Sequence, residues 1–120
     1  MTTENKRFMV RYEEEVETEK STCGWRKRLV SREDKTPAYL HTVHINGSKA
    51  HYHNRATEFY YVLNGEGSIT LDGASFPLKK GMLIQIDPGC VHSSEGDHEV
   101  LVIGIPDIAE DDIFFTDDAS

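Results

Sequence analysis

The sequence predicts an all-β domain of the sandwich or barrel class, and three observations lead to this prediction. Apolar residues fall in short runs of strand length, such as 59–63 and 100–103. Turn dipeptides follow several strand-like segments: Asn46-Gly47, Asn64-Gly65 and Asp72-Gly73. Only the segment 107–115 has any trace of a helical repeat. Many short strands with evenly spaced turns favour a closed β architecture, and a double-sheet jelly roll fits their number.

Seven strands follow from side-chain alternation and from these turns. They are predicted at 25–31, 38–45, 58–63, 68–71, 76–78, 82–86 and 99–105. Asn46-Gly47 predicts a hairpin turn after the second of them.

The domain organisation is one barrel with two polar ends. Residues 1–24 form an acidic arm, irregular or partly extended, that belongs to the same unit as the barrel at 25–106. Residues 107–120 form an acidic tail, most simply a solvated end. In it Asp107 and Glu110 could cap a short helix, and its apolar Ile113-Phe114-Phe115 could dock on the domain or on a second subunit.

Length and composition indicate one domain with no nucleic-acid or membrane partner. A chain of 120 residues can bury about two thirds of its unfolded surface. The formal net charge of −8 argues against nucleic acid, which needs clustered Lys and Arg. No apolar run approaches the roughly 20 residues of a membrane span, and the first residues lack a secretory signal. We therefore expect a cytoplasmic protein whose two cysteines, Cys23 and Cys90, are reduced thiols.

Four side chains form a candidate metal site. His51 and His53 stand two residues apart, so on an extended strand they point to the same face. Glu58 follows five residues later and can return on the neighbouring strand, while His92 follows the turn Pro88-Gly89. Three imidazoles and one carboxylate form a mixed N/O set that suits Fe, Mn, Ni, Cu or Zn. We predict one divalent ion of undetermined identity.

The same residues resemble the metal-binding cupins over about 40–104. His51-x-His53, then Glu58, then Gly65 is similar to their first motif, and Gly81 followed by Pro88-Gly89-x-x-His92 is similar to their second. Three positions depart from the usual pattern without changing a ligand type: Gly47 stands four residues before His51 instead of six, Asp87 replaces a frequent proline, and Gly96 replaces a frequent asparagine. The resemblance implies a jelly-roll barrel that holds a divalent metal through His51, His53, Glu58 and His92. The resemblance also implies a possible homodimer.

Several further residues are candidates for contacts around the metal. Tyr60 shares a face with Glu58, so its phenol either orients substrate or only forms part of the wall. Arg26 and Arg28 either bind a substrate carboxylate or phosphate at the barrel mouth or, as we favour, pair with the Glu-rich arm.

Other polar residues are less determined by the pattern. His41 and His44 lie on opposite faces of one strand, so at most one faces the cavity, and His44 is nearer to the first motif. Gln85 faces either the pocket or the solvent. His98 is expected in an exposed turn, and Cys90 is expected to be a small buried thiol.

Four protein ligands on an ion that accepts six leave two adjacent positions open, which is typical of a catalytic metal. With iron, copper or nickel this favours a dioxygenase. With zinc or manganese it favours Lewis-acid chemistry of the isomerase or lyase type. The alternative is a non-catalytic module that binds a small ligand, and a barrel stiffened by a structural ion is a weaker possibility. We expect a small-molecule partner in each case except the last.

Overall fold

The chain folds around two long antiparallel strands in the computed structural model, which describes residues 7–21, 23–106 and 108–116. The nine strands are β1 Thr18–Lys20, β2 Gly24–Val30, β3 Tyr39–Tyr52, β4 Thr57–Gly65, β5 Ser68–Leu71, β6 Ala74–Pro77, β7 Leu83–Ile86, β8 His92–Ile105 and β9 Phe114–Phe115. Three single 3-10 turns lie at Glu13–Glu15, Arg32–Asp34 and Glu110–Asp112. Within the described ranges, no helix has the length and apolarity to cross a membrane.

The strands pair in the order β1-β2-β3-β8-β4-β7, and every pair is antiparallel. Strand β5 pairs with β6 and with the first part of β8, while β9 pairs with the end of β3. Because β3 and β8 are each 14 residues long, each pairs with several strands along its length, β3 with β2, β8 and β9, and β8 with β3, β4 and β5. The predicted all-β jelly roll is confirmed.

Alternation of side chains builds the core inside the barrel. Every second residue is buried along 39–45 of β3, 58–62 of β4, β7 and 98–104 of β8, as a period of two requires. The buried apolar cluster consists of Val43, Ile45, Tyr60, Val62, Ile69, Leu78, Ile84, Ile86, Val100 and Val102.

The predicted hairpin at Asn46-Gly47 is wrong. Strand β3 continues through this dipeptide to Tyr52, and its pairing with β8 shifts register between Asn46 and Ser48. Gly47 has φ +81° and supplies the irregular backbone at the shift. The partner strand explains the difference, because a long β8 offers hydrogen bonds on both sides of the bulge.

Strand β8 also begins earlier than the sequence indicates, at His92 instead of residue 99. His98 is therefore not in an exposed turn. It pairs with Ile45, points inward with Val100 and is only 2% exposed.

The two ends of the chain pair with the barrel in their described parts. In the arm, β1 extends the sheet beside β2. In the tail, a 3-10 turn and β9 lie in the segment for which the sequence allows a short helix. The apolar pair Phe114–Phe115 docks on β3 of the same chain. The proposed capping box includes Asp107, which lies outside the described residues.

Gly65, which closes the first motif, is needed for close approach of two strands. It has φ +109°, and a Cβ built on it would stand 2.4 Å from the Cα of His98 and 2.5 Å from the Asp97 carbonyl oxygen. Gly73 also has a positive φ, +88°, but nothing lies within 4 Å of a Cβ there. Both glycines therefore have a positive φ that favours glycine, but only at Gly65 would a Cβ also clash with a neighbouring strand.

We expect Gly65→Ala to lower the free energy of unfolding by about 3 kcal/mol, because both backbone strain and a backbone clash oppose it. Gly73→Ala is the matched control and should lose about 1 kcal/mol from the positive φ alone. Urea unfolding of both variants measures the difference. Equal losses would show that the contact with β8 is not the reason for glycine at position 65.

Candidate metal centre

The pairing of β3 with β8 brings the predicted ligands together. His51 lies directly opposite His92 in this pair, although 41 residues separate them along the chain. His53 follows two residues after His51 on the same face, and Glu58 enters from the second position of β4. The ligand nitrogens of the three histidines all lie within 4.8 Å of one another.

Each of the three imidazoles is held by a backbone carbonyl. Nδ1 of His51 lies 2.7 Å from the Lys49 oxygen, Nδ1 of His53 lies 2.8 Å from the Asp112 oxygen, and Nδ1 of His92 lies 3.0 Å from the Cys90 oxygen. A carbonyl only accepts, so each Nδ1 carries the proton and donates it. Each Nε2 is then left with a free lone pair, which is the form of histidine that ligates a metal.

Glu58 completes the cluster as a buried carboxylate. Its Oε1 lies 3.2 Å from Nε2 of His92 and 3.4 Å from Nε2 of His53, and the residue is only 4% exposed. Burial acts to raise the pKa of this carboxyl, but a second proton, taken up on Nε2 of His53 or His92 when no metal is bound, outweighs burial and lowers it from 4.5 to about 2. Glu58 is therefore an anion at neutral pH.

The surroundings separate the pKa values of two of the histidines. Burial, and next the neighbouring His92, lower the pKa of His51 from 6.5 to about 4. Burial also acts to lower the pKa of His53, but Glu58 overcomes it and raises that pKa above 6.5.

The donor atoms fit a divalent cation. Nε2 of His53, Nε2 of His92 and Oε1 of Glu58 are buried and have no hydrogen-bond partner among the described residues. Unpaired buried polar atoms are costly, and an ion shared by all of them would satisfy them together. A metal about 2.1 Å from each donor needs donors no more than about 4.2 Å apart, and the imidazole nitrogens, all within 4.8 Å of one another, would reach this spacing with shifts of a few tenths of an ångström.

A small cavity lies beside this cluster and opens outward. It has a volume of about 70 Å³, and Tyr60, Cys23 and His41 are in its wall together with His51, His53 and Glu58. A wider cleft of about 820 Å³ shares Arg26, His41 and Tyr39 with it. The cleft adds three further cationic side chains at the rim: Lys20, Arg28 and Arg32.

Tyr60 and Arg26 both reach the small cavity. The Tyr60 ring stands edge-on to His92 with centroids 6.3 Å apart, and burial followed by the charge of Glu58 raises the pKa of its phenol well above 10. The phenol therefore keeps its proton at neutral pH. Arg26 contacts Glu19 through Nη2 at 3.3 Å, while its buried Nε has no hydrogen-bond partner in the described part of the chain.

Arg28 pairs with the arm but stays at the outer cleft. Its Nε donates to Oε2 of Glu19 at 2.9 Å. Glu19 therefore engages both arginines, which agrees with the favoured expectation of pairing with the acidic arm.

Two of the predicted substrate contacts lie outside the cavity, and this corrects their expected role. His44 is exposed and its Nε2 stands 2.7 Å from Oδ1 of Asp97, because Val43 and Ile45 occupy the inner face of β3. Gln85 is exposed and donates to Asp87 at 2.8 Å, because Ile84 and Ile86 occupy the inner face of β7.

Sequence reasoning left one contributor to the site undecided, His41, and missed two others, Cys23 and Asp112. His41 lines the cavity, and its signal was the alternation with Val43 and Ile45, which share its face. Cys23 also lines the cavity, and burial followed by Glu58 raises the pKa of its thiol to about 11, so it stays protonated. Asp112 of the tail holds His53 and has no local sequence signal.

The comparisons agree with the fold and the cluster. Residues 39–104, more than half of the chain, match the cupin domain family. An uncharacterised protein of Methanocaldococcus jannaschii is 45% identical over 51 residues, which is 41% of this chain and 41% of that protein, so the match spans less than half of that relative.

Two solved structures are similar over most of the chain. A Planctomyces limnophilus protein has a TM-score of 0.83 and 29% identity, with 89% of this chain and 96% of that one covered. A predicted oxalate decarboxylase of Thermotoga maritima has a TM-score of 0.73 and 26% identity, with 82% and 99% covered. With both motifs on one closed barrel and the family match across β3 to β8, the chain belongs to the cupin family.

Proposed function

We propose that this cupin is a metal-dependent enzyme that acts on a small anionic molecule. The observation that carries the proposal is the convergence of three oriented imidazoles on the buried anion Glu58. In this proposal His51, His53, His92 and Glu58 hold one divalent ion, and Fe, Mn, Ni, Cu and Zn all suit the donor set. When bound, such an ion polarises an oxygen of the substrate or, if it is redox-active, promotes reaction with O2.

The shape and charge of the entrance support a small anionic substrate. Only a small functional group fits the inner cavity of about 70 Å³, so the rest of the substrate would lie in the cleft. There, four cationic side chains outnumber the two carboxylates of the same lining, Glu33 and Asp111, on a chain whose net charge is −8; the four are Lys20, Arg26, Arg28 and Arg32.

The side chains of the cavity have distinct proposed roles. Arg26 binds a carboxylate or phosphate group through its unpartnered Nε. Tyr60, whose phenol stays protonated, donates a hydrogen bond to a substrate oxygen and can move a proton to it. Arg28 attracts the anion at the rim.

Lyase or isomerase chemistry is the form we favour over a dioxygenase. Binding of an anionic group beside the metal suits polarisation of a carbonyl or carboxylate, and a similar solved structure is described as a predicted oxalate decarboxylase. The comparison supports the reaction class and leaves the substrate of this chain to experiment.

Homodimer formation stays a prediction, as does the cytoplasmic location. The outer face of the sheet supports the dimer, because the adjacent side chains of Tyr61 and Leu83 are 44% and 64% exposed.

The metal content of the purified protein tests the proposed ligands. Protein purified without added metal should contain about one divalent ion per chain by elemental analysis. His92→Ala should lose most of it, because one of three imidazoles is removed. His98→Ala is the matched control, since it also removes a buried histidine held by a carbonyl, Gly96, and should keep the ion. Wild-type protein without metal, or equal loss in both variants, would contradict the proposed site.

The second prediction concerns the substrate. On a panel of small carboxylates and phosphate esters, Arg26→Met should raise KM by about 10–100-fold with metal content unchanged, because a charge-assisted hydrogen bond is lost. The control Arg28→Met removes an exposed arginine at the rim and should change KM only a few-fold.

Product formation and O2 uptake are measured together on this panel. Turnover without O2 uptake agrees with lyase or isomerase chemistry, and O2 consumed in proportion to product would replace it with dioxygenase chemistry. Stabilisation by a ligand without turnover would replace the enzyme with a binding module.

The third prediction concerns the metal-free protein, whose stability should fall as the pH is lowered from 6.5 to about 4. The folded state keeps His51 neutral until its lowered pKa, whereas the unfolded chain takes up the proton near pH 6.5. His51→Gln should therefore have a flatter profile, by up to about one proton, in urea unfolding with a chelator present. His53 acts in the opposite direction, because its raised pKa gives stability at low pH, but it is common to both proteins. Parallel profiles would contradict this assignment.

A further inference from the structure

The tail residue Asp112 is buried, although the sequence predicts that the acidic tail is solvated. It is fully buried, at 0% exposed, and lies in the 3-10 turn Glu110–Asp112. An aspartate is almost never fully buried unless its oxygens are satisfied. Its surroundings must therefore supply donors.

The donors come from the loop between two proposed metal ligands. The Asp112 carboxylate accepts from the backbone N–H of Asn54 at 2.8 Å, from that of Arg55 at 3.2 Å and from that of Ala56 at 3.3 Å. These three residues lie between His53 and Glu58 in the chain. One side chain thus holds three of the four residues that connect the two ligands.

The backbone of the same residue holds one ligand directly. The Asp112 carbonyl accepts the proton on Nδ1 of His53 at 2.8 Å. The Cys90 and Lys49 carbonyls that hold the other two imidazoles lie two residues from their histidines, whereas Asp112 is 59 residues from His53. His53 therefore depends on a distant segment for its orientation.

The tail is attached on both sides of Asp112. Phe114 stacks on Tyr52 with ring centroids 5.4 Å apart, and β9 pairs with His51 and Tyr52. On the other side, Asp111 pairs with Arg55 at 2.7 Å on the surface. Ile113 also forms part of the wall of the inner cavity. These contacts keep the Asp112 carbonyl in place.

We infer that Asp112 is a positioning residue of the metal centre, which holds His53 and the loop 54–56 in the arrangement that binds the ion. This inference rests on the proposed function for its metal and deepens it, because it assigns the tail to the site. Loss of a group that orients a metal ligand typically lowers metal affinity by about 10–100-fold.

The test compares Asp112→Ala and Asp112→Asn with Asp111→Asn. Asp111 is the matched control, since it is the neighbouring acid of the same turn but bonds only to the exposed Arg55 side chain in the described structure. Competition with a chromogenic chelator measures the Kd for Zn²⁺. We expect Asp112→Ala to raise it about 10–100-fold, Asp112→Asn to raise it less because one oxygen still accepts, and Asp111→Asn to leave it within about two-fold.

A second measurement does not use the metal. In ¹⁵N-labelled, metal-free protein, the Nδ1 proton of His53 should be protected from exchange in the wild type and in Asp111→Asn, and unprotected in Asp112→Ala. If the wild type binds no Zn²⁺ but shows this difference, the proposed function fails while the positioning of His53 stands.

A merely structural role has a different outcome. Asp112→Ala would then lower the temperature of unfolding while its folded fraction kept the wild-type Kd and the protected proton. That result would overturn the inference, and so would a folded Asp112→Asn with wild-type values if Asp112→Ala did not fold.

Discussion

The antiparallel pairing of β3 with β8 is the constraint on which the rest of this structure depends. It places His51 opposite His92, so two imidazoles from distant parts of the chain face each other by register alone. It also connects the rest of the sheet, because β3 pairs in addition with β2 and β9, and β8 pairs in addition with β4 and β5. A slip of one residue would move every side chain of β3 to the other face and separate the cluster. Core and site are therefore specified by the same register.

Backbone carbonyls then convert this proximity into a defined arrangement of donors. Each imidazole gives its Nδ1 proton to a carbonyl, which leaves Nε2 for the centre. In the metal-free protein a proton on Nε2 of either imidazole within 3.4 Å keeps the buried Glu58 ionised, and a bound cation would take over this role. Burying such a cluster without a further partner is unfavourable, and this expense is consistent with a site kept for binding an ion. Stability alone would be better served by apolar side chains.

Local patterns in the sequence predicted the strand faces and the ligand cluster, because these depend on side-chain alternation and on the spacing of residues within the motifs. The inward face of 58–62, the strand 68–71 and the four clustered side chains all follow from alternation or from short-range spacing, whereas alternation alone left open which face of 82–86 points inward. Two features that the sequence predicted wrongly, the hairpin at Asn46-Gly47 and the solvated tail, depend on partners far away along the chain. Asn46-Gly47 has the local preference of a hairpin, but continued pairing with β8 overrides it and leaves only a bulge. Asp112 is an acid in an acidic tail, and only contacts more than 50 residues away make it a buried group.

The net charge of the chain does not predict the charge of the cleft. A net charge of −8 indicates an acidic surface, yet in the lining of the cleft beside the cluster four cationic side chains outnumber two carboxylates. Glu19 of β1 engages two of them, Arg26 and Arg28, in partly exposed pairs that contribute little to stability. Their effect is geometric, because Glu19 occupies Nη2 of Arg26 and leaves its buried Nε without a partner in the described structure. An anionic substrate would then meet a guanidinium that is already oriented, so less conformational entropy would be lost on binding. The acidic arm, which in the sequence is only a charged end, thus belongs to the environment of the proposed site.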